Sequence, residues 1–510
     1  MPFDYNISDK SLELVKTAVS KAMGDITKSI TQGTGLVAID LQAPAKNLYP
    51  VNTPLRNKIP RVGGGTGTAT QWRAVKNIVG SGFNAMGWVP EGQRSARMSY
   101  VTANVSASYA TLGEEDQVSF EALAAGRTFE DLLATGTNRT LQKMMLKEEN
   151  SILMGNAGSN ASALGTTPTP TLSTSGAGAT LPSATYSVIC VALSGEGYVN
   201  SSLSATGVPT QSTFTGADGL TYTLNGGSAG KSTNATQAVT LGASLFASVA
   251  QVVGALGYAW YVGTAGSETL QAITTINSAV FSAPLLTGNQ TAASVTAGDH
   301  STNPNLGYIG LVYTAFASLA AGVGTGAAVI INQAAGVAGT GTPLTSSGRG
   351  SVVEIDNLLL QMWNQYQVSP TVIYVNAQEL KNITTKCLTG TSGPLLQYFT
   401  SPEDGYSKLM AGGNIEFYFN PFAMNGGIKI PIMIHPTLPP GTIIGWCEDL
   451  PAQYKSDNVP QVCEVKTRRD YYFQQWPLRT RQYEFGVYSD QVLAVYAPFA
   501  LGMITNIANG

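Results

Sequence analysis

A long strict alternation of apolar and polar positions runs from Val101 to Tyr109. Val101, Ala103, Val105, Ala107 and Tyr109 share one side of an extended chain; Thr102, Asn104, Ser106 and Ser108 share the other. Upstream, "MGWVPEGQRSARMSY" (residues 86–100) contains Pro90-Glu91-Gly92. Pro presets φ at a first corner and Gly is free at a second, which is the chemistry of a tight turn. The pattern predicts a long two-stranded ribbon over about 61–111, with Gly63-Gly64-Gly65 permitting a change of direction at its base. A ribbon with no second layer is marginally stable in water. Its apolar side chains therefore need cover from elsewhere.

Helical spacing appears on both sides of it. Leu12, Val15, Val19, Ala22 and Ile26 predict a short amphipathic helix capped by Ser8 or Asp9, followed by a Pro-punctuated arm to about residue 60. Phe129, Leu132, Leu133, Leu141, Met144, Met145, Ile152 and Leu153 predict a long helix, started by Thr128 with Asp131 and closed by Gly155. Gly136 is its weak point. Near the other end, "VVEIDNLLLQMWNQY" reads as a helix, and "PTVIYVNAQELKNITTKCL" as a buried strand and then a helix capped at Asn376 and Glu379. "NIEFYF", "IKIPIMIHP" and "HPTLPPGTIIGW" read as strands, and "YYFQQW", "YEFGVY" and "VLAVYAP" alternate again.

Charge is unevenly spread. From Asn156 to Ser347 only Glu196, Asp218, Lys231, Glu268 and Asp299 are charged, and "ATYSVICVAL", "GLTYTL" and "GYAWYVGTAG" look like short strands between Gly-rich turns. That spacing predicts an inserted β-sandwich at about 165–304, entered through Leu164–Pro182 and left through Thr296–Asn305. Over all 510 residues, charged side chains make up 12%, about half the usual share, against 43% hydrophobic. Burying much of a neutral surface against other chains is one way to tolerate this. The net charge of -3 lacks the basic excess of a tight nucleic-acid binder. Two uncharged runs, 237–267 and 305–347, are long enough for a membrane span, but they are rich in Ala, Gly, Ser and Thr and lack basic flanks.

Candidate chemistry is sparse. His300 and His435 are the two histidines, and Cys190, Cys387, Cys447 and Cys463 form no C-x-x-C pair, so neither a zinc site nor a disulfide framework can be assembled from spacing. Isolated buried thiols are the reading of the cysteines. "NGGSAGKS" (225–232) matches a phosphate loop except that Asn225 stands where Gly is required, and "TNATQAVTLG" after it is a poor helix. A Gly-Ser turn is the better reading. Glu114, Glu115 and Asp116 read as a solvated acidic turn, with cation binding the weaker option. Lys466, Arg468, Arg469, Arg479 and Arg481 form the densest basic region, for polyanion or, preferably, subunit pairing. No catalytic, cofactor-binding or metal residue is indicated.

The order of these parts resembles the major capsid proteins of tailed double-stranded DNA bacteriophages, a fold shared with encapsulin shells. The echoes are "GWVPEGQRSARMSY" for an extended loop and "TFEDLLATGTNRTLQKMMLKEENSILMG" for a spine helix. "GRGSVVEIDNLLLQMWNQYQVSPTVIYVNAQELKNI" looks like an axial domain, and "IPIMIHPTLPPGTI" with "RTRQYEFGVYSDQVLAVYAPFALGMITNIAN" like the closing segments. The resemblance implies an α+β capsid fold: arm 1–60, extended loop 61–111, peripheral domain with spine helix 112–164, inserted immunoglobulin-like sandwich 165–304, axial domain with part of the peripheral sheet 305–460, and return strands 461–510. It also implies a non-enzymatic subunit without cofactor or membrane. Such a subunit assembles in the host bacterial cytoplasm as pentamers and hexamers of an icosahedral virion shell, around double-stranded DNA held without sequence specificity. A portal and a separate scaffolding protein are expected partners, since Met1 is retained and no N-terminal cleavage is expected. Candidate intersubunit contacts are Trp88, Pro90, Glu91, Gly92, Arg94 and Arg97 on the loop, and Arg468, Arg469, Arg479 and Arg481 near the end. Some relatives cross-link a loop Lys to an Asn; Lys76 is the nearest loop lysine here, with no matching Asn or acid in view. An encapsulin-like compartment and an adhesin with an immunoglobulin-like module remain alternatives.

Overall fold

The structure is a computed structural model. It describes residues 13–14, 16–17, 48–80, 87–95, 97–127, 130–176, 178–216, 219–304, 306–320, 327–337, 339–347, 350–389, 397–400, 407–410, 415–424, 426–450 and 461–509, with backbone only at 76–77, 319–320, 389, 397–400 and 407–410. The chain forms two units, one of residues 1–49 and 121–132 and one of 50–120 and 133–510. In the first, Glu13, Leu14, Lys16 and Thr17 are helical, and Thr17 Oγ1 donates to the Glu13 carbonyl at 2.7 Å. Leu12, Val15, Val19, Ala22 and Ile26 lie outside the described residues, as do Thr128 and Phe129.

The second unit is mixed α and β, organised around two sheets that the chain leaves early and returns to late. One is four-stranded, in the order Arg61–Val62, Cys463–Gln475, Gln482–Val495, Ala110–Ser119. The alternating stretches "YEFGVY" and "VLAVYAP" are one continuous strand, because Gln482 to Gln491 pair without a break with Ser119 to Ala110. That register also corrects the acidic turn. Glu114, Glu115 and Asp116 sit mid-strand, where Glu114 pairs with Lys147 and Glu115 accepts from the Tyr488 hydroxyl. The spine helix, Leu132–Met154, is about 35 Å long by its 23 residues. Gly136 is not a flaw in it: a Cβ there would stand 2.8 Å from Cζ of the buried Phe485, so the missing side chain lets helix and sheet approach.

The second sheet is six-stranded, with Val372–Val375 and Ile443–Trp446 at its centre and Leu501–Thr505 beside them. Each central strand is fully buried, which is why these segments read as continuous apolar runs. The helix Val353–Tyr366 lies on it, with Gly502 beneath Met362. In the helix Ala377–Thr389, Asn376 Oδ1 accepts from the Gln378 amide as a cap should. Glu379 instead points inward, fully buried, and accepts from the Gly441 amide at 2.9 Å, so it is not the second half of a capping box.

Between the two sheets in sequence lies an antiparallel sandwich. A sheet ordered Thr269–Thr274, Gly257–Gly263, Ala184–Leu193, Ala235–Val239 faces one ordered Ser278–Phe281, Ser244–Ser248, Thr171–Ser175. Val188, Cys190, Trp260 and Val262 from the first pack with Leu245, Ala247 and Phe281 from the second. The other face of the first sheet buries Ile189, Val191 and Tyr261 under the segment that carries Ala292 and Val295. The sandwich is welded to the body rather than tethered to it. Tyr313 accepts from the Gly195 amide and donates to the Gly254 carbonyl, both at 2.9 Å, while Asn506 Oδ1 accepts from the Asn277 backbone N–H and Asn506 Nδ2 donates to Asn277 Oδ1, both at 3.0 Å. In "NGGSAGKS", Lys231 Nζ is tied to the Ala292 carbonyl at 2.9 Å, and a strand, Ala235–Val239, follows instead of a helix. The convergent N–H groups of a phosphate site are therefore missing.

All four cysteines are buried, and none is in a disulfide. Among the described residues there is no cluster of metal-ligating side chains, and no helix is long and apolar enough to cross a membrane.

Candidate functional site

The ribbon is the feature that the chain's own core does not fully explain. Ala69–Val79 pairs antiparallel with Ser99–Ser108, so the strands are shorter than their apolar flanks suggested and the connection between them is long. Within that connection the Gln93 amide donates to the Pro90 carbonyl at 3.1 Å, and Gly92 has φ 75°. This is a type II turn with Pro90 at its first position and Gly92 at the third, one residue displaced from the expected corner.

The two halves of the ribbon have different partners. Near the base, the face made by Trp72, Ala103, Val105 and Ala107 lies on the chain's own core: Ala107 is buried, and Trp72 meets Tyr496 edge-on at 5.2 Å. The expectation that the apolar face finds cover only on a neighbour is corrected for this half. The distal half differs because of a β-bulge between Val75 and Asn77. A bulge shifts the alternation by one residue, so Ile78 comes opposite Tyr100, on the same face as Val75 opposite Thr102. Val75, Ile78 and Tyr100 are 60%, 62% and 60% exposed. Beyond them Trp88 is 91% exposed and Met98 67%. Arg94, Arg97 and Glu91 are exposed and have no ion-pair partner among the described residues. The side chain of Lys76 lies outside the described residues.

The C-terminal arginines do not act together. Arg468 clamps the ribbon base, donating to the Gly67 carbonyl at 3.0 Å, lying over Tyr109 at 5.2 Å and pairing with Asp490 at 3.5 Å. Arg469 lies over Tyr472. Arg479 and Arg481 are exposed in the turn between the two long strands.

A polar cluster at the base of the arm left no sequence signal. The short helix Pro54–Lys58 has no side-chain cap of its own, since Thr53 makes no cap bond. Its free N–H groups are met by the spine helix: Glu149 accepts from the Leu55 amide at 2.9 Å and the Arg56 amide at 2.7 Å. The same carboxylate meets His435 Nε2 at 2.7 Å, and both side chains are buried. Glu148, also buried, accepts from Arg56 Nε at 2.8 Å, from Arg61 and from the Tyr471 hydroxyl. Arg61 reaches on to Asp470 at 2.6 Å and Gln491 at 3.0 Å. Burial alone would lower the Arg61 guanidinium, but Asp470 and Glu148 hold it above its ordinary value; the Arg61 bond likewise outweighs burial at Asp470 and keeps that carboxyl below its own. Burial, and then Glu148, push the Tyr471 phenol up to about 12.

No family model matches the chain, and no curated protein sequence is similar to it. Among solved structures it is similar to the capsid of a native GTA particle computed with C5 symmetry, at 9% identity and TM-score 0.41, over 95% of this chain and 100% of that one. It is similar to the capsid of Myoviridae phage XM1 at 8% identity and TM-score 0.39, over 93% and 100%. A virus-like particle from Pyrococcus furiosus aligns at 10% identity and TM-score 0.29, over 88% and 91%. At these scores the superpositions are loose, and the functional reading rests on the chain's own geometry.

Proposed function

We propose that this chain is the major capsid subunit of a tailed double-stranded DNA bacteriophage. Many copies join as pentamers and hexamers into an icosahedral shell, with a portal and a separate scaffolding protein, around DNA held without sequence specificity. The observation that supports this most directly is the distal ribbon. A two-stranded element with apolar side chains exposed on a bulge-turned face, an exposed Trp88 and unpaired arginines is unstable as a solvent feature and well suited to lie on another copy. Trp88, Pro90, Glu91, Gly92, Arg94 and Arg97 are the contacts assigned to that neighbour, and Arg479 and Arg481 are assigned to a second intersubunit contact. Arg468 and Arg469 already have partners within the chain and contribute less to it. The sandwich at 165–304 is read as an immunoglobulin-like module on the shell's surface, and the two sheets with the spine helix as axial and peripheral domains.

The reading involves no catalysis. Purified chain examined by negative-stain electron microscopy over a range of concentration and salt is expected to form closed shells, and particles from the native source to protect double-stranded DNA from nuclease. A discrete monomer under every assembly condition would overturn it. Closed shells around a cargo protein without DNA would favour a compartment over a virion.

A further inference from the structure

We propose that the row Arg139–Lys143–Lys147 on the spine helix is a contact for the phosphate backbone of double-stranded DNA; this names the DNA-facing surface of the subunit and rests on the reading of the chain as a capsid protein. The helix Leu132–Met154 carries two contrasting rows at four-residue spacing. Gly136, Thr140, Met144 and Glu148 form a buried one. Arg139, Lys143 and Lys147 form an exposed one. The helix has two acids, Glu148 and Glu149, and both are buried and taken up by Arg56, Arg61, Tyr471, His435 and two backbone amides. Lys147 pairs with Glu114 of the sheet, while Arg139 and Lys143 pair with no carboxylate among the described residues. A chain with 28 basic and 31 acidic residues thus presents a row of one sign here.

Two ordinary reasons for cations on a helix do not account for this row. Basic side chains complement the helix dipole in the last turn, and the last turn here has none. Salt bridges along a helix need an acid three or four residues away, and no such position around these three cations holds one. Like charges at i and i+4 instead repel, so the row is slightly unfavourable in the free subunit, and an anion lying along it removes the repulsion. Successive cations stand about 6 Å apart along the helix axis. Two phosphate steps on one strand of a duplex advance about 7 Å, so one strand can follow the row. Two or three phosphate contacts per copy are weak, and repetition over many copies makes them strong. That agrees with a net charge of -3, too low for tight binding by a single copy.

The test is the double variant R139Q/K143Q, which removes both unpaired cations and keeps good helix formers in their place. The full unassembled chain is titrated into a fluorescent DNA duplex of random sequence, with anisotropy as the readout, across a series of salt concentrations. Each phosphate contact contributes about -0.9 to the slope of log K against log salt, so the variant should flatten the slope by about 2 and bind about tenfold more weakly at low salt. Its urea midpoint should match the parent's, since both positions are exposed. R479Q/R481Q, equally exposed, should keep the parental slope. A parent chain that fails to bind the duplex at low salt would overturn the proposal, as would equal flattening in R479Q/R481Q, which would make the attraction diffuse. So would a parental slope in R139Q/K143Q, and loss of shell assembly in that variant would then assign the row to a neighbouring subunit. The two readings fail separately. A chain that never forms shells but binds DNA through this row sinks the capsid reading alone, and closed shells whose variant binds DNA like the parent sink the row alone.

Discussion

The bulge in the ribbon permits a quantitative prediction. Replacing Ile78 and Tyr100 with serine removes two apolar side chains from the distal face, each about three-fifths exposed in the isolated subunit. Complete burial of such a side chain contributes about 1.5–3 kcal/mol, so roughly 1–2 kcal/mol each is still to be gained from a neighbour. The costs of association are common to variant and parent and cancel in the comparison. The double variant should therefore weaken each ribbon contact by about 2–4 kcal/mol. That is roughly a 30- to 1,000-fold rise in the concentration needed for assembly. The two-fifths of each side chain already covered in the free subunit should cost it about 1–2 kcal/mol in all. Sedimentation velocity across a concentration series reads the first quantity, and urea denaturation of the unassembled subunit reads the second. Trp72→Ala on the basal half should do the reverse: it removes the edge-on contact with Tyr496 and destabilises the subunit by about 2–4 kcal/mol. Assembly of I78S/Y100S at the parental concentration would refute the argument that the distal face is built for another copy.

Three further outcomes follow from single side chains. Gly136→Ala sets helix propensity, about 1 kcal/mol in favour, against overpacking on Phe485, about 1–3 kcal/mol opposed; packing should win and lower the urea midpoint, whereas a raised midpoint would mean the helix and sheet are not in close contact. Burial pushes Glu196 up to about 7, so the folded state holds its proton more tightly than the unfolded chain: stability is lost as pH rises from the ordinary carboxylate value through about 7, and Glu196→Gln should raise the thermal midpoint at pH 8 but not at pH 4. Asn506 has φ 63° and three side-chain bonds, to the Asn277 amide, the Asn277 side chain and the Gln333 carbonyl. Asn506→Ala should cost about 2–4 kcal/mol by chemical denaturation, and Asn506→Gly should recover only the backbone part, about 1 kcal/mol.

Legibility in the sequence tracked the range of the interaction. Ala184–Leu193, Gly257–Gly263, Val353–Tyr366 and Val372–Val375 were readable because their periods report burial of the segment itself. The acidic triplet at 114–116 misled because its strand is created by a partner more than 350 residues away, at about 482–491. The ribbon's alternation was visible, but the bulge that divides its cover between self and neighbour was not, since a register shift leaves no compositional mark. Nothing near Glu148 and Glu149 in the sequence marks them for burial. Their partners, Arg56, Arg61, His435 and Tyr471, come from three distant stretches and converge only when the sheets close.

The sequence by itself thus determined where the spine helix, the helix Val353–Tyr366 and the central buried strands lie, that a neutral β-rich insert interrupts a charged frame, and that a ribbon exists with too little core of its own. These are local consequences of spacing and of the hydrophobic effect. Tertiary structure alone decided which carboxylates are buried, where Gly136 allows helix and sheet to touch, and which half of the ribbon faces outward. Those outcomes depend on charges and backbones meeting across hundreds of residues, and such meetings are set by the closing of the sheets rather than by any one segment.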